Sequence, residues 1–476
     1  MMPSPIKFGT DGWRGLIAED FTFPNVRACA QGVARYLRDR GLADRGLVVG
    51  YDTRFLSDRF AEAVARVLAA SGIKTYVTSH PTPTPVVSYG IVANKAAGAV
   101  IITASHNPFN WNGFKFKPEY AGSATPEITK ILEDNIDQAL RSGDVASMHL
   151  EEGVRLGLIE YVDLRTSYRD RIAGLVDLER LKSAGIKVAV DSMYGAGAGY
   201  LRSLIGGGET SVREIHRAHN PLFPGLAQPE PIDRNLGQLS RFIRKVGAEV
   251  GLATDGDADR VGLADETGTI LSPLQIYGLL AYYLLEIRGE RGPLVKSITT
   301  TRMIDRLGEI YRVPVYETPV GFKYICPLMI QKNALIGGEE SGGFGFRGHI
   351  PERDGILSSL YILDLMARTG RRVSQLLGDL YALVGPHHYN RVDLCIPQEL
   401  KETMVDRITN DPPNALDGDA VAKLDTTDGL RFDLEDGGWL LIRFSGTEPL
   451  MRIYAESHSM KKVERLLAEG RKLAGV

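Results

Sequence analysis

The segment Ala99-Val100-Ile101-Ile102-Thr103-Ala104-Ser105-His106-Asn107-Pro108 passes from an apolar run into a polar turn. A short apolar run bounded by turn residues reads as a buried strand, and Pro108 cannot continue a hydrogen-bonded ladder. The strand is read over Ala99 to Thr103, which leaves Ser105 at its carboxyl end. Upstream, Leu47 to Tyr51 and Thr75 to Val77 read as two further strands. Between them Ser57 reads as the N-cap of a helix with Phe60, Val64, Val67 and Leu68 on one face. The Pro-rich stretch Pro81 to Pro85 opens another helix.

The same plan recurs twice downstream, as pattern rather than as residue identity. The second copy has strand Ile186 to Asp191, a Gly-rich turn and helix around Tyr194 to Leu204, and a strand near Val212 to Ile215. Helix Leu236 to Val246 then leads to strand Val250 to Ala253, which ends in Asp255-Gly256-Asp257-Ala258-Asp259-Arg260. The third has strand Leu294 to Ile298, helix Arg302 to Tyr311, strand Val313 to Tyr316 and helix Phe322 to Ile330. Its last strand, Ala334 to Ile336, ends in Gly338-Glu339-Glu340-Ser341-Gly342-Gly343. Alternating strands and helices predict α/β layers with largely parallel pairing. Each copy delivers a polar loop at a strand's carboxyl end, where open α/β sheets place their ligands.

The pattern breaks near Gly385. Strand Arg391 to Ile396, helix Glu399 to Ile408, a hairpin of Leu430 to Leu434 with Trp439 to Phe444, strand Met451 to Glu456 and a final helix carrying Val463, Leu466, Leu467 and Leu473 read as a separate α+β unit. Helical segments at Ile128 to Leu140 and Glu160 to Val176 are read as bridging the first and second units.

At 476 residues the chain is too long for one core and predicts three or four units. A formal net charge of −3 argues against broad nucleic-acid binding, though not against a small anion held by local basic groups. Cys29, Cys326 and Cys395 form no CxxC pair, so neither a disulfide framework nor a cysteine zinc site is expected. The start, Met1 to Lys7, lacks an apolar signal core, and no run approaches the ~20 apolar residues of a membrane span. A cytoplasmic setting is the default expectation.

A serine that carries a phosphoryl group needs exposure at a strand end, nearby donors and a way to lose its proton. Ser105 has that setting, though a capping Ser or Asn would look the same; the flanks are not the G-x-S-x-G of a serine hydrolase. Asp255, Asp257 and Asp259 repel one another unless a cation compensates them. An EF-hand would put Glu266 at its twelfth position but needs Gly at its sixth, where Arg260 stands. A hard cation that leaves room for a phosphate oxygen fits better, which means magnesium; an Asp-rich turn without metal is the alternative.

Arg443-Phe444-Ser445-Gly446-Thr447-Glu448-Pro449 can form a backbone nest plus a guanidinium fork for phosphate, or an ordinary strand-end turn. Glu339 and Ser341 can bond sugar hydroxyls or belong to a flexible acidic turn. Phe8-Gly9-Thr10-Asp11-Gly12-Trp13-Arg14-Gly15 offers one Arg in a Gly-rich loop. Lys115 reads as a proton shuttle or a solvated strand lysine. His349, His387 and His388 lack metal-ligand partners at useful spacing, and the last two read as structural or surface residues.

Taken together, FGTDGWRG, TASHNP, DGDADR, GEESGG and RFSGTEP, in that order across essentially the whole chain, resemble the α-D-phosphohexomutases. The resemblance implies three related mixed-sheet α/β domains plus a C-terminal α+β domain around a central cleft, placed here at 1–150, 151–265, 266–384 and 385–476. It implies that Ser105 is the phosphoserine and that Asp255, Asp257 and Asp259 bind Mg²⁺ with the Ser105 phosphate. It makes Arg14, Lys115 and His106 catalytic-site residues, with Lys115 a candidate general acid/base. Arg260 would support the site, Glu339 and Ser341 would grip the sugar, and Arg443, Ser445, Gly446 and Thr447 would hold the distal phosphate. The stretches around Lys323 and from Gly348 to Gly355 resemble the phosphoglucomutases, although many of those carry Lys where Arg353 stands. Arg is a poor proton acceptor, so a proton-transfer role at that position is in doubt. The implied reaction interconverts hexose 1- and 6-phosphates, glucose preferred and mannose accepted, with hexose 1,6-bisphosphate as activator and a monomer or homodimer as the enzyme. A glucosamine-phosphate mutase, a serine phosphatase and a non-catalytic sugar-phosphate sensor are the alternatives.

Overall fold

A computed structural model describes residues 6–396, 400–444 and 450–475, which four sheets organise. The first sheet has the order Trp13–Leu16, Trp111–Pro118, Gly98–Ile102, Leu47–Tyr51, Thr75–Thr78, Ile159–Val162. The second runs Ile270–Leu271, Val261–Ala264, Val250–Thr254, Lys187–Asp191, Ser211–Ile215, and the third Val315–Thr318, Leu294–Ser297, Ile336–Gly338, Phe344–Phe346.

One topology underlies all three. A central strand is flanked by two parallel partners, and the later partner turns back into an antiparallel fourth strand. The parallel strands are buried on both faces, which is why Gly98–Ile102 and Val250–Thr254 read as continuous apolar runs. The turn between third and fourth strands carries Ser105 in the first unit, the Asp255–Asp259 run in the second and Glu339–Gly343 in the third. The sheets are therefore mixed, and the reversal is what aims each polar loop. One continuous apolar cluster reaches from Val48 and Val87 through Leu252 and Tyr277 to Leu380, fixing the three units against one another.

The fourth sheet is antiparallel, in the order His388–Cys395, Leu450–Ser457, Trp439–Phe444, Leu430–Leu434, Asp419–Asp425, Ala415–Leu416. Helix Met460–Ala474 covers it with Val463, Leu466 and Leu467. This unit leans on the third one. Arg431 donates 2.8 Å bonds to the Ile298 carbonyl and to Glu317, and Trp439, Leu441 and Tyr454 pack on Ile298. His387 is buried against Glu456, as a structural histidine should be.

Several local expectations change. Ser57 is not the N-cap of its helix: Leu56 takes that position at φ 60°, while the Ser57 hydroxyl donates 2.8 Å to Asp52. The helix after Asp191 begins at Tyr200, because Met193 and Tyr194 are left-handed and the chain stays in a loop to Gly199. The segment Glu160 to Val176 starts as the edge strand Ile159–Val162 before helix Arg165–Ala173, so the first sheet extends beyond residue 150. Helix Pro126–Ser142 is no bridge to the second unit; it packs on helix Phe23–Asp39, where a Cβ on Gly32 would stand 2.6 Å from Ile136. Among the described residues no helix is long and apolar enough to cross a membrane.

Candidate active site

The three reversal turns meet. Ser105 adopts φ 53°, a conformation costly for a residue with a Cβ, and its hydroxyl donates to Asp255 Oδ2 at 2.7 Å. Gly256 permits the approach, since a Cβ there would stand 2.4 Å from the Ser105 carbonyl oxygen. One oxygen each of Asp255, Asp257 and Asp259 fall within 4.8 Å of one another, and all three residues are buried. Burial, followed by repulsion from Asp259 and Asp257, pushes Asp255 well above the usual carboxylate range. The Asp257 Oδ1 and Asp259 Oδ1 atoms are buried without a hydrogen-bond donor among the described residues. Crowded hard oxygens with unused lone pairs fit a small divalent cation. Thr84, at the N-terminus of helix Thr84–Asn94, donates 2.6 Å to Asp257 Oδ2 and so ties the metal loop to the first unit.

A cationic layer faces these carboxylates. Lys115 Nζ lies 2.8 Å from Asp11, 2.9 Å from Asp257 and 3.3 Å from Asp259. Burial alone would discharge it, but the three carboxylates outweigh that and hold it protonated. Arg353 lies 2.5 Å from Asp11, 2.9 Å from Asp259 and 3.8 Å from Glu339. Lys117 bridges Asp11 and Glu352 at 2.8 and 2.5 Å. Asp11 thereby joins two strand lysines of the first unit to Arg353 of the third.

Other expected residues line the same space. Arg14 donates 2.8 Å to Asn107 in the serine turn. The His106 Nδ1 lies 3.4 Å from the Ser105 hydroxyl; burial and then Arg260, Arg14 and Arg54 press its pKa well below the ordinary value, so it is neutral. The Arg260 backbone N–H donates 3.1 Å to Asp255 while its side chain reaches Glu230 at 3.2 Å. Burial lifts Glu339 to about 7 despite Arg353. The Ser341 Oγ is buried without a partner among the described residues. Lys323 stands apart from the carboxylates, 3.4 Å from the Gly9 carbonyl oxygen. Arg443 is also outside the cluster, with Nε 3.0 Å from Asp428. Ser445, Gly446 and Thr447 lie outside the described residues. The His349 Nε2 lies 3.0 Å from Asp354.

Asp11, Asp52, Arg54, Thr84, Lys117 and Glu352 belong to this constellation but carry no role in the sequence reading. Asp11 lies inside a quoted Gly-rich loop, which is its only signal. Thr84, Lys117 and Glu352 bond partners more than a hundred residues away, and Arg54 bonds carbonyls of residues 105–111.

Comparison with known proteins agrees with this geometry. The phosphoglucomutase/phosphomannomutase alpha/beta/alpha domains I, II and III match residues 5–142, 166–268 and 272–384, and the C-terminal domain of the same family matches 400–473. A phosphoglucomutase/phosphomannomutase of Thermococcus kodakarensis is 30% identical over 98% of each chain. A phosphoglucosamine mutase of Lachnoclostridium phytofermentans is 29% identical over 95% of this chain and 94% of its own. The crystal structure of a putative phosphomannomutase from Thermus thermophilus superposes with a TM-score of 0.85 at 38% identity over 100% of both chains. The chain belongs to the α-D-phosphohexomutase family. It is an intramolecular phosphotransferase that acts on phosphohexoses.

Proposed function

We propose that the protein interconverts glucose 1-phosphate and glucose 6-phosphate, and accepts the mannose phosphates, through a phosphorylated Ser105 and a bisphosphorylated sugar. The observation that carries this reading is the 2.7 Å approach of the Ser105 hydroxyl to Asp255 beside two buried carboxylate oxygens that have no donor among the described residues. Asp255, Asp257 and Asp259 would hold Mg²⁺ together with the Ser105 phosphate, and the ion would neutralise charge developing on the transferred group.

In the first half-reaction the sugar's free hydroxyl attacks the phosphorus on Ser105, the bond from phosphorus to the Ser105 oxygen breaks, and that oxygen takes a proton from Lys115, which the proton lost by the sugar hydroxyl replaces. The bisphosphate then turns over in the cleft and returns its other phosphoryl group to Ser105. Catalysis of this kind is mostly positioning and charge compensation. Lys115 and Arg353 supply positive charge; Lys115, held protonated, begins as a proton donor, and Arg353 keeps its charge throughout. Arg14 and His106 shape the serine turn, and Arg260 orders the metal loop. Arg443 with Ser445, Gly446 and Thr447 would hold the phosphate that is not reacting, with Lys323 on the same approach. Ser105 is 1% exposed where the sequence predicts an exposed hydroxyl, because the Asp255–Asp259 loop packs over it, so a sugar would reach it only when the surrounding units part. A hexose 1,6-bisphosphate would recharge any molecule that loses its phosphate.

The intermediate must bind in two opposite orientations, so a useful sugar contact must touch hydroxyls that the turn superposes. Glu339 and Ser341 meet that condition at the 3- and 4-hydroxyls, which glucose and mannose share; the two differ only at carbon 2. An epimer that makes no strong contact is discriminated weakly. Both 1-phosphates are expected to turn over, glucose faster, and Ser341→Ala is expected to slow both by similar factors. Steady-state assays with each sugar check this; absence of mannose 1-phosphate turnover, or a Ser341→Ala effect on one sugar alone, contradicts it.

Glu339 predicts a pH effect. A carboxyl raised to about 7 is neutral below that pH and a carboxylate above it, and only the carboxylate accepts from two hydroxyls at once. kcat/KM is therefore expected to rise through about pH 7 in the wild type and to lose that step in Glu339→Gln. The substrate phosphate also titrates, near pH ~6, in both proteins. An identical step near pH 7 in Glu339→Gln would assign it elsewhere.

A further inference from the structure

The serine turn is held from inside by Arg54, which bonds its backbone carbonyls, and by Asp52, which acts through Thr103. The Arg54 guanidinium is wholly buried. It donates to the carbonyl oxygens of Ser105 and Asn107 at 2.6 Å, of Pro108 at 2.7 Å and of Trp111 at 3.1 Å, so one planar fork spans the entire turn. Its Nε pairs with Asp52 Oδ2 at 3.1 Å. The same Asp52 oxygen accepts from Thr103 Oγ1 at 2.6 Å, and that hydroxyl in turn accepts the Ser105 N–H at 2.8 Å. Ser105 is thus gripped at its amide through Asp52 and Thr103, and at its carbonyl by Arg54. Those two peptide groups define the φ of 53° that sends the hydroxyl to Asp255.

The second unit closes over this device. The Phe223 ring covers the guanidinium at 5.1 Å, and Phe223 itself is left-handed at φ 45°, a costly conformation for a bulky residue. Between Asp52 and Arg54, the Thr53 hydroxyl donates 2.7 Å to the Tyr194 carbonyl, and the Thr53 carbonyl oxygen lies 2.9 Å from His219 Nε2. Three consecutive residues therefore fix the serine turn and dock it on the unit that carries the metal loop.

We infer that Asp52 and Arg54 are positioning residues that template the Ser105 turn and set the phosphoryl carrier against the metal loop. The inference rests on the proposed role of Ser105. Lysine keeps the charge but is a single point donor and cannot span four carbonyls. A carrier displaced by about 1 Å loses on the order of a hundredfold in rate while substrate contacts elsewhere persist.

The test compares Arg54→Lys and Thr103→Val with wild type in glucose 1-phosphate turnover at saturating Mg²⁺ and a trace of glucose 1,6-bisphosphate, after calorimetry confirms folding. Arg54→Lys is expected to lower kcat about a hundredfold with KM changed by less than about threefold. Thr103→Val, which cuts only the link from Asp52 to the Ser105 amide, is expected to lower kcat about tenfold with the same KM pattern. Should Arg54→Lys fail to fold, Thr103→Val decides alone. An active wild type with folded variants within twofold of its kcat, or with losses confined to KM, overturns the inference and leaves the reading of Ser105 standing. An inactive wild type without phosphoserine overturns the reading of Ser105, and this inference with it.

Discussion

Ser105→Ala is expected to remove turnover, on the order of 10⁴-fold or more, while the protein folds and binds sugar phosphate. The change deletes one hydroxyl in a turn whose backbone is held by Arg54 and by Thr103, so the fold has other anchors. Stability should change modestly, because the variant loses one hydroxyl hydrogen bond, to Asp255, worth about 1–3 kcal/mol. Intact-mass analysis should find a phosphorylated fraction in the wild type and none in the variant. Alanine is inert, so residual turnover above about one per cent of wild type would require another acceptor and would refute the phosphoserine mechanism.

Asp257→Asn is the second large effect. The carboxylate it removes touches both Lys115, at 2.9 Å, and Thr84, at 2.6 Å, and contributes an unused oxygen to the triad. Asparagine keeps the shape but loses the charge that a hard cation requires, and it points an amide toward either the ion or Lys115. Affinity for divalent metal is expected to fall at least about tenfold, and kcat with it. Manganese binding followed by electron paramagnetic resonance reports the affinity without reference to activity. Unchanged binding in the variant, or full wild-type activity after dialysis against EDTA, would show that the triad serves another purpose.

Much of the architecture is legible in the sequence because it depends on local pattern. Buried parallel strands leave uninterrupted apolar runs, and each run ends in a loop with its own composition. The Ser105, Asp255 and Glu339 loops are found this way. The antiparallel reversals are not, since Trp111–Pro118 mixes aromatic residues with Gly, Lys115 and Lys117 and lacks the simple alternation of a half-buried strand. Both lysines are buried there, because Asp11 and Glu352 arrive from more than a hundred residues away. An ion pair across that distance leaves no periodic trace. The same holds for Arg54: it reads as a loop arginine before a helix, and only the folded chain brings the carbonyls of residues 105–111 to its fork. Helix Phe23–Asp39 carries the local signal of the Thr22 cap followed by Pro24, and its buried face is rich in Ala.

The central claim is that a phosphoryl group passes from Ser105 to sugar and back rather than to water. The most direct measurement loads the purified enzyme with radiolabelled phosphate at Ser105, removes free label, and adds unlabelled glucose 1-phosphate with Mg²⁺ for a single turnover. The account predicts that label leaves the protein for glucose 1,6-bisphosphate and then appears in glucose 6-phosphate, with little inorganic phosphate formed. Label released chiefly as inorganic phosphate, or retained on the protein while glucose 6-phosphate accumulates, would contradict it.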